Sequence, residues 1–261
     1  MAETLKATFP TVNAKEIAHF KNLSTIWWNK ECAPSTLLAF NELRVPWIID
    51  KLVETKLITK DAAKSSKPFQ GLSILDAGCG GGFLTEALAD LGCTVVGIDP
   101  CPEMIEVAKN HLKVNPNLSK NITYICGSVE EHSECNNYEK YDAVVASEVV
   151  DHEDEQDLFL EVCVKCLKPG GSIFVTTFNK TWISWLIVIV LFEYITGTIP
   201  RGSHFWYKFI SPENVERILT KYNCSTESVR GVYISPVVGK WCWSYFTSIS
   251  YALHAVKNKN L

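Results

Sequence analysis

Two clusters in this sequence combine residue types at spacings that chemistry can use. The first is Ser147-Glu-Val-Val-Asp-His152, in which two carboxylates and an imidazole follow an apolar run. Glu148, Asp151 and His152 can converge on one divalent cation, and oxygen-rich ligation with a single nitrogen suits Mg²⁺, Mn²⁺ or Fe²⁺ better than structural zinc. A cation there would hold two adjacent substrate oxygens and lower the pKa of a phenol, giving a phenolate nucleophile near neutral pH. Without a metal, His152 is a candidate general base, because its unperturbed pKa lies near operating pH. If the turn opens a helix, residues 148, 151 and 152 share a face. A plain acidic helix start, lengthened by Glu153, Asp154 and Glu155, accounts for the same residues through the helix dipole alone. Spacing by itself leaves these readings open.

The second cluster is Ile74-Leu-Asp-Ala-Gly-Cys-Gly-Gly-Gly-Phe83, followed by Val95-Val-Gly-Ile-Asp99. It reads as a buried strand, a glycine turn, a helix and a second strand ending on an acid about 20 residues past the first turn, placed to grip a ribose. Two details disfavour a dinucleotide. Phe83 follows where a third glycine would pack against a pyrophosphate site, and Asp76 puts negative charge just before the turn. A cofactor with a ribose, an amino-acid tail and a positive centre fits better, and S-adenosylmethionine has all three. NAD(P) and a degenerate empty site are the alternatives.

The elements that must position these residues alternate. Strands are expected at Ser73–Asp76, Thr94–Asp99, Ile122–Cys126, Tyr141–Ala146 and Ser172–Thr177. Helices are expected near Phe83–Leu91, Pro102–Val114 and Gln156–Leu167, with a turn at Pro169-Gly-Gly171. That order implies an α/β fold, a doubly wound and mostly parallel sheet with helices on both faces, whose ligands bind beyond the carboxyl ends of the strands. Asp99, Ser128 and Glu148 all follow such ends. A helical extension precedes the core, with Ile17, Phe20, Trp27 and Trp28 on one apolar face and Leu37 to Ile48 supplying another. Ser211-Pro-Glu-Asn carries an N-cap serine, a first-turn proline and an acid, so a helix starts there. Residues 224–234 and 242–254 read as late strands completing the sheet as an antiparallel pair. The chain is expected to be one domain over 1–261: a helical extension (1–70), a cofactor core (71–178), an apolar segment (179–210) and a carboxyl-terminal helix with strands (211–261).

The chain has 261 residues, a net charge of −4, 47% hydrophobic residues and ten cysteines. Such a balance gives no basic face for nucleic acid. Cys163-Val-Lys-Cys166 has no second pair to complete a zinc site, so reduced thiols are expected. Met1–Pro10 lacks the apolar core of a secretory signal, and with Glu3 and no early arginine it does not read as a transit peptide. The segment Trp182–Ile199 is strongly apolar. It would measure about 27 Å as a helix, marginal for a bilayer, and Glu193, Thr196 and Gly197 interrupt it. It reads as a lid or core helix, or as an interfacial segment flanked by Lys180 and Arg201 with Ile187 and Leu191 on its membrane face.

Trp27-Trp28, Asn41-Glu-Leu-Arg-Val-Pro46, the Leu75–Phe83 turn, Ser147–His152, Leu167-Lys-Pro-Gly-Gly171 and Pro200-Arg-Gly-Ser-His204 occur in this order. Together they resemble the ubiquinone-biosynthesis O-methyltransferases, class I enzymes that methylate polyprenylated catechols. The resemblance runs from about Asn13 to Lys257. It implies that Arg44, Gly78, Asp99 and Ser147 bind S-adenosylmethionine. It further implies that Glu148, Asp151 and His152 match a Glu-x-x-Glu-His metal site, here with an aspartate in place of the second glutamate, and that the ion is Mg²⁺. Leu37-Leu-Ala-Phe-Asn41 lacks a histidine that the family usually carries there. The resemblance places the protein peripherally on the matrix side of the mitochondrial inner membrane. A polyprenylated catechol would be its substrate and other quinone-biosynthesis proteins its partners. A soluble small-phenol methyltransferase and a non-catalytic scaffold subunit of a quinone-synthesis assembly are the alternatives. His204 is placed to close over the site or to serve the fold alone.

Overall fold

A computed structural model describes residues 13–29, 32, 34–135, 137–197, 199–235 and 239–259. The stretch read for targeting lies outside them. Eight strands form one sheet: β1 (Ser73–Ala77), β2 (Thr94–Asp99), β3 (Ile122–Cys126), β4 (Tyr141–Ser147), β5 (Leu167–Phe178), β6 (Cys224–Ile234), β7 (Trp241–Ser244) and β8 (Ser250–Lys257). Their spatial order is β3-β2-β1-β4-β5-β8-β6-β7. The first five run parallel, and β8 is antiparallel to both of its neighbours, β5 and β6. From β1 the chain winds outward through β2 and β3, then returns to start β4 on the other side. The crevice at that reversal, beyond the carboxyl ends of β1 and β4, is where ligands bind in such sheets.

The central strands are apolar on both faces because both faces are covered. Leu75, Val144, Phe159, Leu160, Val215 and Leu253 belong to one core cluster. Ile74, Val95, Leu88, Phe40, Trp47 and Ile48 belong to another. The helix Ser35–Glu54 buries Phe40, Arg44, Trp47 and Ile48 at three- and four-residue spacing, so a cation sits in the middle of an otherwise apolar stripe. Trp241 Nε1 donates to the Thr36 carbonyl at 2.8 Å and ties β7 to this helix.

Four local expectations are revised. The Pro169-Gly-Gly171 turn lies inside β5, at a register shift against β4 between Tyr141 and Ala143; it bends a continuous strand rather than preceding one. The late strand expected at 242–254 is two strands, β7 and β8, so three antiparallel strands finish the sheet. The segment after β4 is not a helix start. Val150–His152 is a single 3-10 turn, and Glu148 before it has φ of 56°, a left-handed backbone that costs a non-glycine residue about 1–2 kcal/mol. Trp182–Ser184 forms one helical turn that continues as a π-helix over Trp185–Ile195; among the described residues, no helix is long and apolar enough to cross a membrane.

Candidate active site

The carboxyl ends of β1, β2 and β4 open into a cleft of about 420 Å³, within the range of small-ligand sites. The glycine turn forms its floor. Gly78 and Cys79 both donate to the Ile98 carbonyl at 2.9 Å, which folds the turn back over β2. A side chain at Gly78 would meet Val149, its built Cβ lying 2.4 Å from Cγ2. Gly81 is needed for another reason than cofactor approach: its Cβ would fall 2.3 Å from Trp27. Trp28 Nε1 donates to the Gly81 carbonyl at 2.9 Å, so the tryptophan pair clamps the turn. Trp27 lines the cleft, and its buried indole N–H has no protein partner.

Asp99 ends β2 and joins two loops. Its Oδ2 accepts from Gly80 N–H and its Oδ1 from Cys101 N–H, both at 2.9 Å. Burial pushes its carboxyl up to about 6 despite those two donors. Asp76 is also held up at about 6 by burial, with Thr85 Oγ1 donating to it at 2.5 Å. Arg44 reaches the cleft from the helix Ser35–Glu54. Its Nε donates to Asn41 Oδ1 at 2.8 Å and its Nη1 to Ser147 Oγ at 2.7 Å; burial lowers it to about 10, with Asp76 and Glu148 opposing. Ser147 passes the contact to Thr176 at 2.7 Å. The residues expected to hold the donor therefore line one cleft, and Arg44 and Ser147 are joined to each other.

The residues expected to hold a metal divide. Asp151 Oδ1 accepts from Thr177 at 2.9 Å. The Nδ1 of His152 meets Glu16 Oε2 at 3.1 Å, and its Nε2 lies 3.8 Å from Asp151 Oδ2. Burial alone would lower His152, but Asp151 and Glu16 outweigh it and leave the imidazole raised, which favours its protonated form. Among the described residues, the group whose ligand atoms all lie within 4.8 Å of one another is Asp151, His152 and His204. Glu148 lies outside it. Turned by its left-handed backbone, it borders the cleft and feels Arg44 and Asp151, and burial raises its carboxyl.

Several groups here carried no legible role in the sequence. Glu16, on the helix Ala14–Ser24, binds both His152 and Lys208, the latter at 3.2 Å, while Lys208 also pairs with Asp154 at 2.7 Å. Glu193 is 1% exposed and accepts from Gly202 N–H at 2.8 Å and His204 N–H at 2.9 Å. A lone acid in an apolar run signals a buried partner, and that partner is the loop carrying His204. Apart from Asp154, these groups form a polar wall between the amino-terminal helix, β4 and the apolar segment. Beyond it the cleft continues past Ile187, Leu191 and Phe192. Ile187, half-buried, and Leu191, still 38% exposed, border the cleft, and Trp182, Trp185, Leu186, Tyr194 and Ile195 are exposed as well. All ten cysteines are unpaired thiols, and burial raises several of them, Cys93 to about 12.

Comparison with known proteins agrees with this geometry. Residues 75–175 match the family described as a methyltransferase domain. The chain is 45% identical over 253 residues to the mitochondrial ubiquinone biosynthesis O-methyltransferase of Rattus norvegicus, covering 97% of this chain and 72% of that protein. It is 37% identical to the ubiquinone biosynthesis O-methyltransferase of Bartonella tribocorum, covering 96% of this chain and 98% of that one. Among solved structures, the magnesium protoporphyrin IX methyltransferase of Synechocystis, with bound SAH, superposes with a TM-score of 0.61 at 17% identity over 92% of this chain and 95% of that one, a likeness of fold. The fold is that of the class I methyltransferases, and the chain belongs to the S-adenosylmethionine-dependent ubiquinone biosynthesis O-methyltransferases.

Proposed function

We propose that this enzyme moves the sulfonium methyl of S-adenosylmethionine to a catechol oxygen of a polyprenylated quinone precursor, assisted by a divalent cation, while resting on a mitochondrial inner-membrane surface. The observation that carries this reading is the continuity of one cleft. Asp99 and Arg44 border its polar end, Glu148, His152 and His204 its middle, and Ile187, Leu191 and Phe192 of the apolar segment its far end. The residues present suit the donor. Asp99 keeps unused lone pairs for ribose hydroxyls, because a carboxylate offers about four. The unpartnered Trp27 N–H and the Arg44 guanidinium suit a carboxylate tail.

Methyl transfer is an in-line displacement, so holding both reactants supplies much of the acceleration. Asp99, Gly78 and Arg44 fix the donor. Phe20 and Phe178 pack edge-on against His152 and His204 and shield the acceptor end from water. A cation bound beside the acceptor would lower its phenol pKa; the chain's own residues would orient the two oxygens and receive no methyl.

Membrane contact is supported by an apolar surface assembled from three segments. Trp182, Leu186 and Ile195 come from the first, Phe205 to Tyr207 from the second, and Tyr245 with Phe246 from the third. Residues 179–181 link them: Thr181 Oγ1 donates to the Ser248 carbonyl, and Trp206 Nε1 to the Thr181 carbonyl at 3.0 Å. Exposed apolar residues on segments linked in this way suit an interaction surface, and the relative from Rattus norvegicus is named as mitochondrial. The test is turnover of a polyprenyl catechol with labelled donor, with and without EDTA, against a short-chain catechol with and without liposomes. Chelation should abolish turnover and spare donor binding, and liposomes should accelerate only the polyprenyl substrate. Unchanged rates in EDTA would remove the cation from the reading, and indifference to liposomes would remove the membrane.

A further inference from the structure

Glu148, Asp151 and His152 were expected to share a cation, yet the geometry points to a different set. We infer that the cation is held by Asp151, His152 and His204, with Glu16 and Glu193 as the carboxylates that orient the two imidazoles, and that this set selects a nitrogen-seeking transition metal over Mg²⁺. The inference rests on the metal-assisted reading and names its ligands.

Two halves of the site mirror each other. His152 Nδ1 meets Glu16 at 3.1 Å and points Nε2 toward Asp151 Oδ2 at 3.8 Å. His204 Nδ1 meets Glu193 at 3.1 Å and points Nε2 toward the same Asp151 oxygen at 4.0 Å. Each carboxylate fixes the tautomer that leaves Nε2 with its lone pair inward, which is how metal-binding imidazoles are normally held. Asp151 is oriented through its other oxygen by Thr177, leaving Oδ2 for the ion. Donors on a shared ion at about 2.0–2.2 Å would sit about 3.0–3.4 Å apart, so the three must draw in by about half an ångström to one ångström. Two imidazoles and one carboxylate with open positions form the ligand set of Fe²⁺-type sites, and Mg²⁺ prefers oxygen and water. The open positions are those a catechol's two oxygens would take.

Glu193 gives the arrangement a further property. It lies on the apolar π-helix, and its two oxygens bind the backbone of the loop that ends in His204. Glu16 lies on the amino-terminal helix. An ion at Asp151 would thus tie three separate stretches of chain together, and Glu193 is a positioning residue acting through His204.

The experiment uses protein freed of metal and titrated with Mn²⁺, Co²⁺ and Mg²⁺, followed by pulsed electron paramagnetic resonance on the Mn²⁺ form to count coordinated imidazoles. Wild type should bind Mn²⁺ at least about tenfold more tightly than Mg²⁺ and show two imidazoles. His204→Gln should show one and lose at least about tenfold in Mn²⁺ affinity. Glu193→Gln should keep two imidazoles while affinity falls about 10- to 100-fold, the usual effect of removing an outer-shell partner. Glu148→Gln should stay within about threefold of wild type. Calorimetric binding of S-adenosylmethionine reports that each variant is folded, and the wild-type imidazole count needs no variant. A single imidazole in wild type, or affinity lost in Glu148→Gln and retained in His204→Gln, overturns the ligand set and leaves a metal enzyme. Failure of wild type to bind any of the three ions overturns both this set and the metal-assisted reading.

Discussion

Donor binding should depend on pH through Asp99, and the size of the effect follows from its surroundings. Burial raises the Asp99 carboxyl to about 6 in the free protein, while Cys101 and Gly80 N–H groups and the ribose hydroxyls all require it as an acceptor. The ionised form, present above that value, is the one that binds; protonation on the acid side turns one acceptor into a donor facing donors. Affinity should therefore be flat above about pH 7 and fall as pH drops through 6. By pH 5 only about a tenth of the free protein is ionised, so the dissociation constant should rise about tenfold, or roughly 1.4 kcal/mol. At pH 6, where about half the sites are protonated, binding should release about half a proton, measurable by calorimetry in buffers of different ionisation enthalpy. Asp76 sits at a similar value and is the group that could imitate this. Asp99→Asn should abolish both the pH dependence and the proton release, and Asp76→Asn should retain them. Constant affinity from pH 7.5 to 5, or proton release surviving in Asp99→Asn, would refute the assignment.

Other outcomes follow from single features. Glu148→Gly should raise thermal stability by about 1 kcal/mol, relieving a left-handed backbone and a buried carboxylate, while slowing turnover; a fall in melting temperature would show that its side chain supports the fold. Arg44→Lys keeps the charge but loses the fork that spans Asn41 and Ser147. It should destabilise the protein by about 1.5–3 kcal/mol in denaturant unfolding, and an unchanged midpoint would contradict that. Changing Trp182, Leu186 and Ile195 to glutamate should release the protein from anionic liposomes in flotation assays and leave donor affinity intact. Continued flotation would assign the exposed surface to another partner.

The donor half was legible in the sequence because its signals are local. An apolar run, a glycine turn and an acid at a fixed distance specify β1, the turn and Asp99 without knowledge of the rest. The acceptor half was not, since it depends on residues far apart in the chain: Glu16 meets His152, and Glu193 reaches His204 only through a loop whose path no spacing rule fixes. Reading 148, 151 and 152 as one helical face failed at Glu148, whose positive φ takes it out of helical geometry, and nothing about a glutamate announces that conformation. Ile187 and Leu191 were placed on an outer face by assuming ordinary helical spacing. The segment Trp185–Ile195 winds as a π-helix, in which Ile187 borders the cleft half-buried and Leu191 borders it while remaining exposed. His204 carried its signal in the open, but only Glu193 gives it a direction.

The position of β8 bears on how the protein is made. This strand, Ser250–Lys257, lies inside the sheet and hydrogen-bonds to β5 on one side and β6 on the other. A chain emerging from its amino terminus at about 5–20 residues per second completes β5 roughly 4–16 s before β8 exists to pair with it. For that interval the inner edge of an apolar parallel sheet stands open, a template for wrong strands. Loss of the last dozen described residues would therefore not trim an end: it would remove an interior strand, leave β5 and β6 without a shared neighbour, and expose the nascent donor-binding half to aggregation before the acceptor half could form.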